Sequence, residues 1–239
     1  MAPVHGKSAK LFWGGFDLTS FGKEITSEGT ADVADDTAFG DNSKSYIPGL
    51  KDGTLTAGGI YEAQALASAQ VLEGILGIAD SEICYLPEGD ALGKLGYGLL
   101  SIPTKVAVSS PIDNIVAWDA EAQSSVGKEQ ILSLHALTQE TITGNGTNVD
   151  HGAATTGGLS GYLQVTDVTA GTLDVKIQHS VDNSVWVDLI TFTQATADNV
   201  AERKAVSGTV NRHLRYVRTI ATGPATFFVG ASRTPHRTS

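Results

Sequence analysis

The six histidines of this 239-residue chain, His5, His135, His151, His179, His213 and His236, are the first residues to test for chemistry, and their spacing defeats most of it. No two stand at a separation that would bring a pair of imidazoles to one metal ion. Asp150-His151 sets a carboxylate beside an imidazole, but adjacent residues of a strand or loop point apart, and no nucleophile accompanies them. His135 follows Ser133 at strand period and reads as a structural residue. There is no Gly-x-Ser-x-Gly elbow, phosphate loop or dinucleotide fingerprint, and Gly144-Asn145-Gly146 is a turn rather than a nucleotide cradle. Asp32, Asp35, Asp36 and Asp41 lack the alternating spacing and terminal glutamate of a calcium loop, so they read as a solvated loop or a patch that meets basic residues of a neighbour. Cys84, the one cysteine, cannot form an intramolecular disulfide and reads as a small buried hydrophobe between Ile83 and Tyr85. The expectation is a protein that is not an enzyme, with no catalytic residue, no cofactor and no metal.

The elements around these residues are mostly strands. Hydrophobic residues make up 41% of the chain and charged residues 18%, with 27 glycines, a β-and-turn composition. No apolar run is long enough to cross a membrane, and the segment Met1–Ser8 lacks the apolar core of a signal peptide, so the chain is expected to stay where it is made. A lone cysteine fits a reducing cytoplasm. The net charge of −10 is unevenly spread: every acidic residue lies at or before Glu202, and from Arg203 onward there are seven basic residues and no acid. A basic strand could touch nucleic acid, though no aromatic platform or recognition helix accompanies it. It could instead meet the acidic face of a second copy, which would make Arg203, Arg212, Arg215 and Arg218 a face for subunit contacts, or it could be simply solvated.

Lys10–Gly14 and Phe16–Phe21 read as two strands joined by a tight turn at Gly14-Gly15. The stretch 27–46 reads as an extended arm or loop, and a structureless segment of that length is expected only where it serves a function, such as ordering against a neighbour. Pro48-Gly49 and Asp52-Gly53 read as turns, followed by a strand over Thr54–Tyr61. The spacing of Ala63, Leu66, Ala67, Gln70, Val71, Gly74 and Ile75 predicts one helix over 62–78, packed on a sheet. Residues 105–123 give two strands around Pro111, the second alternating with Trp118, Ala120 and Ala122 on one face and Asp119 and Glu121 on the other. Ile131–Leu137 then closes a first module, 1–140.

Residues 141–160, rich in Gly and Thr, read as a linker to a second module, 161–239. There Leu173, Val175 and Ile177 alternate with polar residues, Asp182-Asn183-Ser184 supplies a turn, and Val185–Phe192, Val206–Ile220 and Thr226–Ala231 continue the strands. The fold class expected is mainly β, a sandwich or barrel with one packed α-helix, followed by a second sandwich-like module.

The segment FGDNSKSYIPGLKDG, within Asp36–Thr56, resembles the long hairpin loop and following strand of phage tail tube proteins. SSPIDNIVAWDAEAQ resembles later strands of that family, and LDVKIQHSVDNSVWVDLITF with the strands after it resembles the sandwich module at the C-terminus of many of its members. The resemblance implies the major tail tube protein of a long-tailed, non-contractile phage: a virion protein, assembled in the host cytoplasm, that stacks in rings to conduct DNA. It implies inter-ring contacts through Asp36, Phe39, Gly40, Asp41, Lys44, Tyr46, Ile47 and Pro48. It also implies partners: further copies of the chain, the tape measure protein, tail terminator and distal tail proteins, and double-stranded DNA passing without specific binding through a bore lined by acids of the first module, with no membrane. A faint likeness of the two segments that begin Gly53-Thr-Leu and Gly171-Thr-Leu leaves the ring at six copies or three. The alternatives are a sandwich that binds carbohydrate or a host surface, with Trp186, Tyr162 or Tyr216 as sugar platform, and a trimeric capsid decoration protein.

Overall fold

A computed structural model describes residues 5–64 and 66–234. The strands in chain order are β1 (Lys10–Trp13), β2 (Phe16–Asp17), β3 (Gly22–Asp35), β4 (Tyr46–Ile60), β5 (Ser81–Leu86), β6 (Leu95–Ser109), β7 (Ala117–Ser124) and β8 (Glu129–Glu140). They continue with β9 (Gly144–Asn145), β10 (Val149–Asp150), β11 (Leu159–Val168), β12 (Leu173–Ser180), β13 (Val187–Thr191), β14 (Val200–Val206), β15 (His213–Ile220) and β16 (Ala225–Ser232), with α1 (Ser68–Ile75) between β4 and β5. The mainly β class with one packed helix is as expected. Among the described residues, no helix is long and apolar enough to cross a membrane.

Eleven strands form one antiparallel sheet that forks at β6. Its first half (Leu95–Gly98) pairs with β8, which leads on through β16 and β11 to β14. Its second half (Ser101–Ser109) pairs with β7, which leads through β4 to β3. On the opposite side of β6 lie β5, β1 and β2. Trp118, Ala120 and Ala122 of β7, Leu55 and Ala57 of β4, Trp13 of β1 and Leu72 of α1 form one buried cluster. Fully burying a side chain the size of Leu72 or Leu55 contributes about 1.5–3 kcal/mol, so this cluster fixes the helix on the sheet.

The second sheet, β10-β15-β12-β13 with β9 beside β15, packs its alternating face (Leu173, Val175, Ile177, Leu214) against Leu163, Val165, Phe227 and Val229 of β11 and β16. That makes the sandwich expected of the C-terminal half. The partition between halves differs from the expectation, because β8 does not close a module. It is hydrogen-bonded to β16, so β11, β14 and β16 extend the sheet that the first half begins. Nor is 141–160 a bare linker: it carries β9 and β10, and its Thr155 and Gly157 bridge to Val210 and Gly208.

Three local departures have backbone causes. The helix spans Ser68–Ile75 rather than 62–78, because Leu66 has φ +64° and Gly77 φ +75°, both left-handed. The segment 27–46 is not a loop throughout, since its first part is the end of the 14-residue strand β3 and only the ten residues Asp36–Ser45 connect β3 to β4. Pro48-Gly49 and Asp52-Gly53 lie inside β4, where Pro48 stands opposite Val33 at a bulge that spares the ladder the missing N–H.

Candidate assembly interface

The β3–β4 hairpin projects from the body. Near its base the pair Gly29–Gly53 crosses the β7–β8 connection so closely that a Cβ on Gly53 would lie 2.8 Å from the Lys128 backbone nitrogen. Lys128 clamps this crossing, donating from Nζ to the Ser27 carbonyl at 3.0 Å and sitting 4.4 Å from the centre of the Tyr97 ring. Gln123 Nε2 donates to Asp52 Oδ1 at 2.6 Å from the other side. Beyond that point both strands are exposed on both faces, and Val33, Phe39, Tyr46, Ile47 and Leu50 stand in solvent. Phe39 has no burial at all.

The hairpin end is nevertheless ordered by its own bonds. Asp36 N donates to the Ser45 carbonyl at 3.1 Å and Ser45 N to Thr37 Oγ1 at 3.0 Å. Thr37 N and Oγ1 both donate to Asp35 Oδ1, which holds that carboxyl below its ordinary range. Asp41 Oδ2 accepts from Ala38 N at 2.8 Å, placing Gly40 (φ +108°) at the turn and Phe39 at the apex. An isolated two-stranded ribbon is marginal in water, and a preformed one that displays five large apolar side chains is suited to docking on something.

The four strands β3-β4-β7-β6 offer a second surface. Their inner face is the core around Trp118, and their outer face carries Glu24, Thr26, Glu28, Thr56, Asp119 and Glu121. Lys105 sits among them, its Nζ 3.1 Å from Asp119 Oδ2 and 2.8 Å from Glu121 Oε1. Both outermost strands end in open edges. Among the described residues β3 pairs only with β4, and on the side of β6 away from β7 none of their strands pairs beyond Ser101, although Pro103 O accepts from Gly77 N.

The four arginines expected to form a basic face are not gathered there. Arg203 is buried, with Nη2 2.7 Å from Oε1 of the fully buried Glu129, whose other oxygen accepts from Ser160 Oγ and Tyr162 OH at 2.7 Å each. Burial works against the charge on Glu129, but the bonds from Arg203 outweigh it and hold the carboxyl below its ordinary range. Arg218 is nearly as buried, 2.7 Å from Glu140 Oε2. Arg212 pairs with Asp150, and Arg215 donates twice to Gln178 Oε1 while stacking on Trp186 at 4.1 Å. Each of these four cations finds its partners within the chain.

The sugar-platform aromatics are not available as a group either: Tyr162 and Tyr216 are buried, and Trp186 is half-buried under Arg215. His135 is packed between Tyr216 and Phe227 at ring distances of 4.4 and 4.5 Å, and burial lowers its pKa to about 4, as fits a structural residue. Cys84 is buried, which pushes its thiol far up. Among the described residues no group of three or more His, Cys, Asp or Glu is arranged to hold a metal. Sequence reading missed the Glu24–Thr26–Glu28 face, although the alternation of exposed and half-buried residues along Glu24–Glu28 was there to be read.

No protein-family model matches the chain, and none of the curated proteins does either. Among solved structures it is similar to a protein of the virion of a native gene transfer agent particle, at 11% identity and TM-score 0.44, covering 54% of this chain and 98% of that one. It is also similar to the SPP1 tail tube, at 11% and 0.43, covering 54% and 78%. A third is the Dit protein of SPP1, described as a hub of the adsorption apparatus in phages that infect Gram-positive hosts, at 10% and 0.38, covering 93% and 98%. All three are described as virion or tail proteins, and all three likenesses are distant.

Proposed function

We propose that this protein is a structural, non-enzymatic subunit of a phage-type tail tube, and the observation that carries the reading is the projecting, preformed hairpin Gly22–Ile60 with its exposed apolar end. An open edge on β3 and another on β6 support ring formation, in which β6 of one copy pairs with β3 of the next. Pairing them removes the edges that otherwise invite aggregation. The outer face with Glu24, Glu28, Asp119 and Glu121 then lines the bore, where carboxylates repel the phosphates of passing DNA and threonines keep the wall wet.

The geometry of a closed sheet favours six copies. With strands about 4.8 Å apart and tilted about 40°, four strands from each of six copies close a barrel of roughly 50 Å backbone diameter. Three copies would give roughly half that, which side chains would largely fill. A three-copy ring would need a second tube fold within the chain, and the C-terminal half instead extends the first sheet and packs its own sheet on it. The tape measure, terminator and distal tail proteins are the partners such a tube requires, and the virion tail is its place after assembly in the host cytoplasm.

Negative-stain electron microscopy of the purified chain over a concentration series tests the reading. Hollow tubes or stacked rings are expected, and particles that stay monomeric at all concentrations and after seeding with tube ends would overturn it.

A further inference from the structure

The hairpin carries unlike surfaces at its two ends. At the far end stand Phe39, fully exposed, and Asp32, Asp36 and Asp41, none in an ion pair among the described residues, with Lys44 as the one cation of the Asp36–Ser45 connection. At the near end, where β3 begins, a cleft of about 340 Å³ is lined by Lys7, Lys23, Ile25 and Tyr85, with Glu24 as its one acid. Neither lysine is ion-paired among the described residues, and Tyr85 is only half-buried. The two ends are separated by the length of β3, 14 residues, or about 45 Å at the rise of an extended strand. A translation of one copy along its own hairpin by that length brings an acidic, aromatic tip onto a basic cleft that contains an aromatic ring.

We propose that the hairpin tip of one copy seats in the Lys7–Lys23–Tyr85 cleft of the next copy along the tube, with Phe39 entering the cleft and Asp32, Asp36 and Asp41 facing the two lysines. The contact is heterologous and repeats without closing, as a filament requires. Unlike charges set its register and speed encounter, and the buried ring supplies the hold. A competing receptor is the apolar groove of about 460 Å³ formed by Phe16, Leu66, Val71 and Ile75. The only charged residue on α1 is Glu73, of the same sign as the tip, so that groove lacks the complementarity of the cleft. The inference rests on the tube reading above.

Replacing Phe39 by the photo-cross-linker p-benzoylphenylalanine reads the contact directly. In assembled particles, intermolecular adducts are expected on residues 6–9, 22–25 or Tyr85. Adducts on 66–75 or elsewhere, or none between copies, would overturn the inference. As a second measurement, Lys7→Glu with Lys23→Glu should raise the critical concentration for stacking about tenfold at low salt, with the fold intact by circular dichroism. Asp32→Lys with Asp36→Lys should do the same, and a mixture of the two variants should co-assemble. A wild-type chain that assembles beside an equally competent Lys7/Lys23 variant sinks this contact alone; a wild-type chain that never assembles sinks the tube reading and the contact with it.

Discussion

Arg203 Nη2 lies 2.7 Å from Glu129 Oε1 across 74 residues of sequence, and this buried pair ties β14 to β8, one strand from each half of the chain. Tyr162 completes the tie from β11, its ring packed so close that a Cβ on Gly98 would fall 2.5 Å from it. Removing one partner leaves the other charge buried without compensation. Arg203→Ala is therefore expected to cost about 3–5 kcal/mol, while Arg203→Met with Glu129→Gln should cost distinctly less. Chemical denaturation of the two variants, compared at one pH, measures the difference; equal losses would mean that the charge pair is not what the site depends on.

The crossing of the hairpin over the β7–β8 connection depends on the absence of a side chain at Gly53. Its Cβ would meet the Lys128 nitrogen at 2.8 Å and the Gly127 carbonyl carbon at 3.0 Å, both backbone atoms that cannot swing away. Gly53→Ala is expected to destabilise by about 1–3 kcal/mol and to expose the hairpin base to protease. Gly74→Ala, in α1 with nothing within 4 Å of the new methyl, should be neutral or stabilise by up to about 1 kcal/mol.

Legibility of this fold in the sequence follows burial. Where a strand has one face in the core, period two shows plainly: Trp118, Ala120 and Ala122 are buried and Ala117, Asp119 and Glu121 exposed, as the alternation predicts. The same holds for Leu173–Ile177 and for the turn at Asp182, whose Oδ1 accepts from Ser184 N and Val185 N. Where both faces are wet, as from Thr30 to Asp35, no periodicity marks the strand, and a bulged Pro48 or a close-packed Gly53 mimics a turn. Where both faces are covered, as at Leu159–Val165 of β11, alternation vanishes for the opposite reason. The hairpin end was legible as a segment outside the core, because its polar, glycine-rich sequence is odd for a core strand. The fate of the arginines was not, because Arg203 and Arg218 find Glu129 and Glu140 through strand pairings that no local pattern encodes.

Deleting Asp36–Tyr46 separates folding from assembly. The segment makes its hydrogen bonds within the hairpin end and leaves the buried clusters untouched. On the proposed tube reading, the variant is expected to melt within a few degrees of the parent and to remain unassembled at concentrations where the parent assembles, as read by thermal denaturation and sedimentation velocity. Tubes of ordinary appearance from the deleted chain would remove the hairpin end from the inter-ring contact.

Glu82 gives the protein a pH dependence with a definite sign. Burial raises its carboxyl to about 7, against bonds from backbone amides that include Arg203 N at 3.2 Å, and Asp80 and Glu202 push it the same way as burial. A carboxyl that ionises later in the fold than in the unfolded chain favours the fold below the unfolded value, near 4.5, and that contribution is lost as pH rises through about 7. The loss is up to about 3 kcal/mol. His135, lowered to about 4, has the opposite sign, its contribution present above the ordinary histidine value and lost as pH falls toward 4. His151, also lowered to about 4, and His179 act in the same sense as His135, and an open-chain histidine is still half protonated at about pH 6.5, so Glu82 is isolated by the difference between the parent and Glu82→Gln from about pH 6 to 8. Over that interval the stability of the parent relative to Glu82→Gln should fall with rising pH. Parallel denaturation curves for the parent and Glu82→Gln across that interval would show that Glu82 ionises in the fold no later than in the open chain.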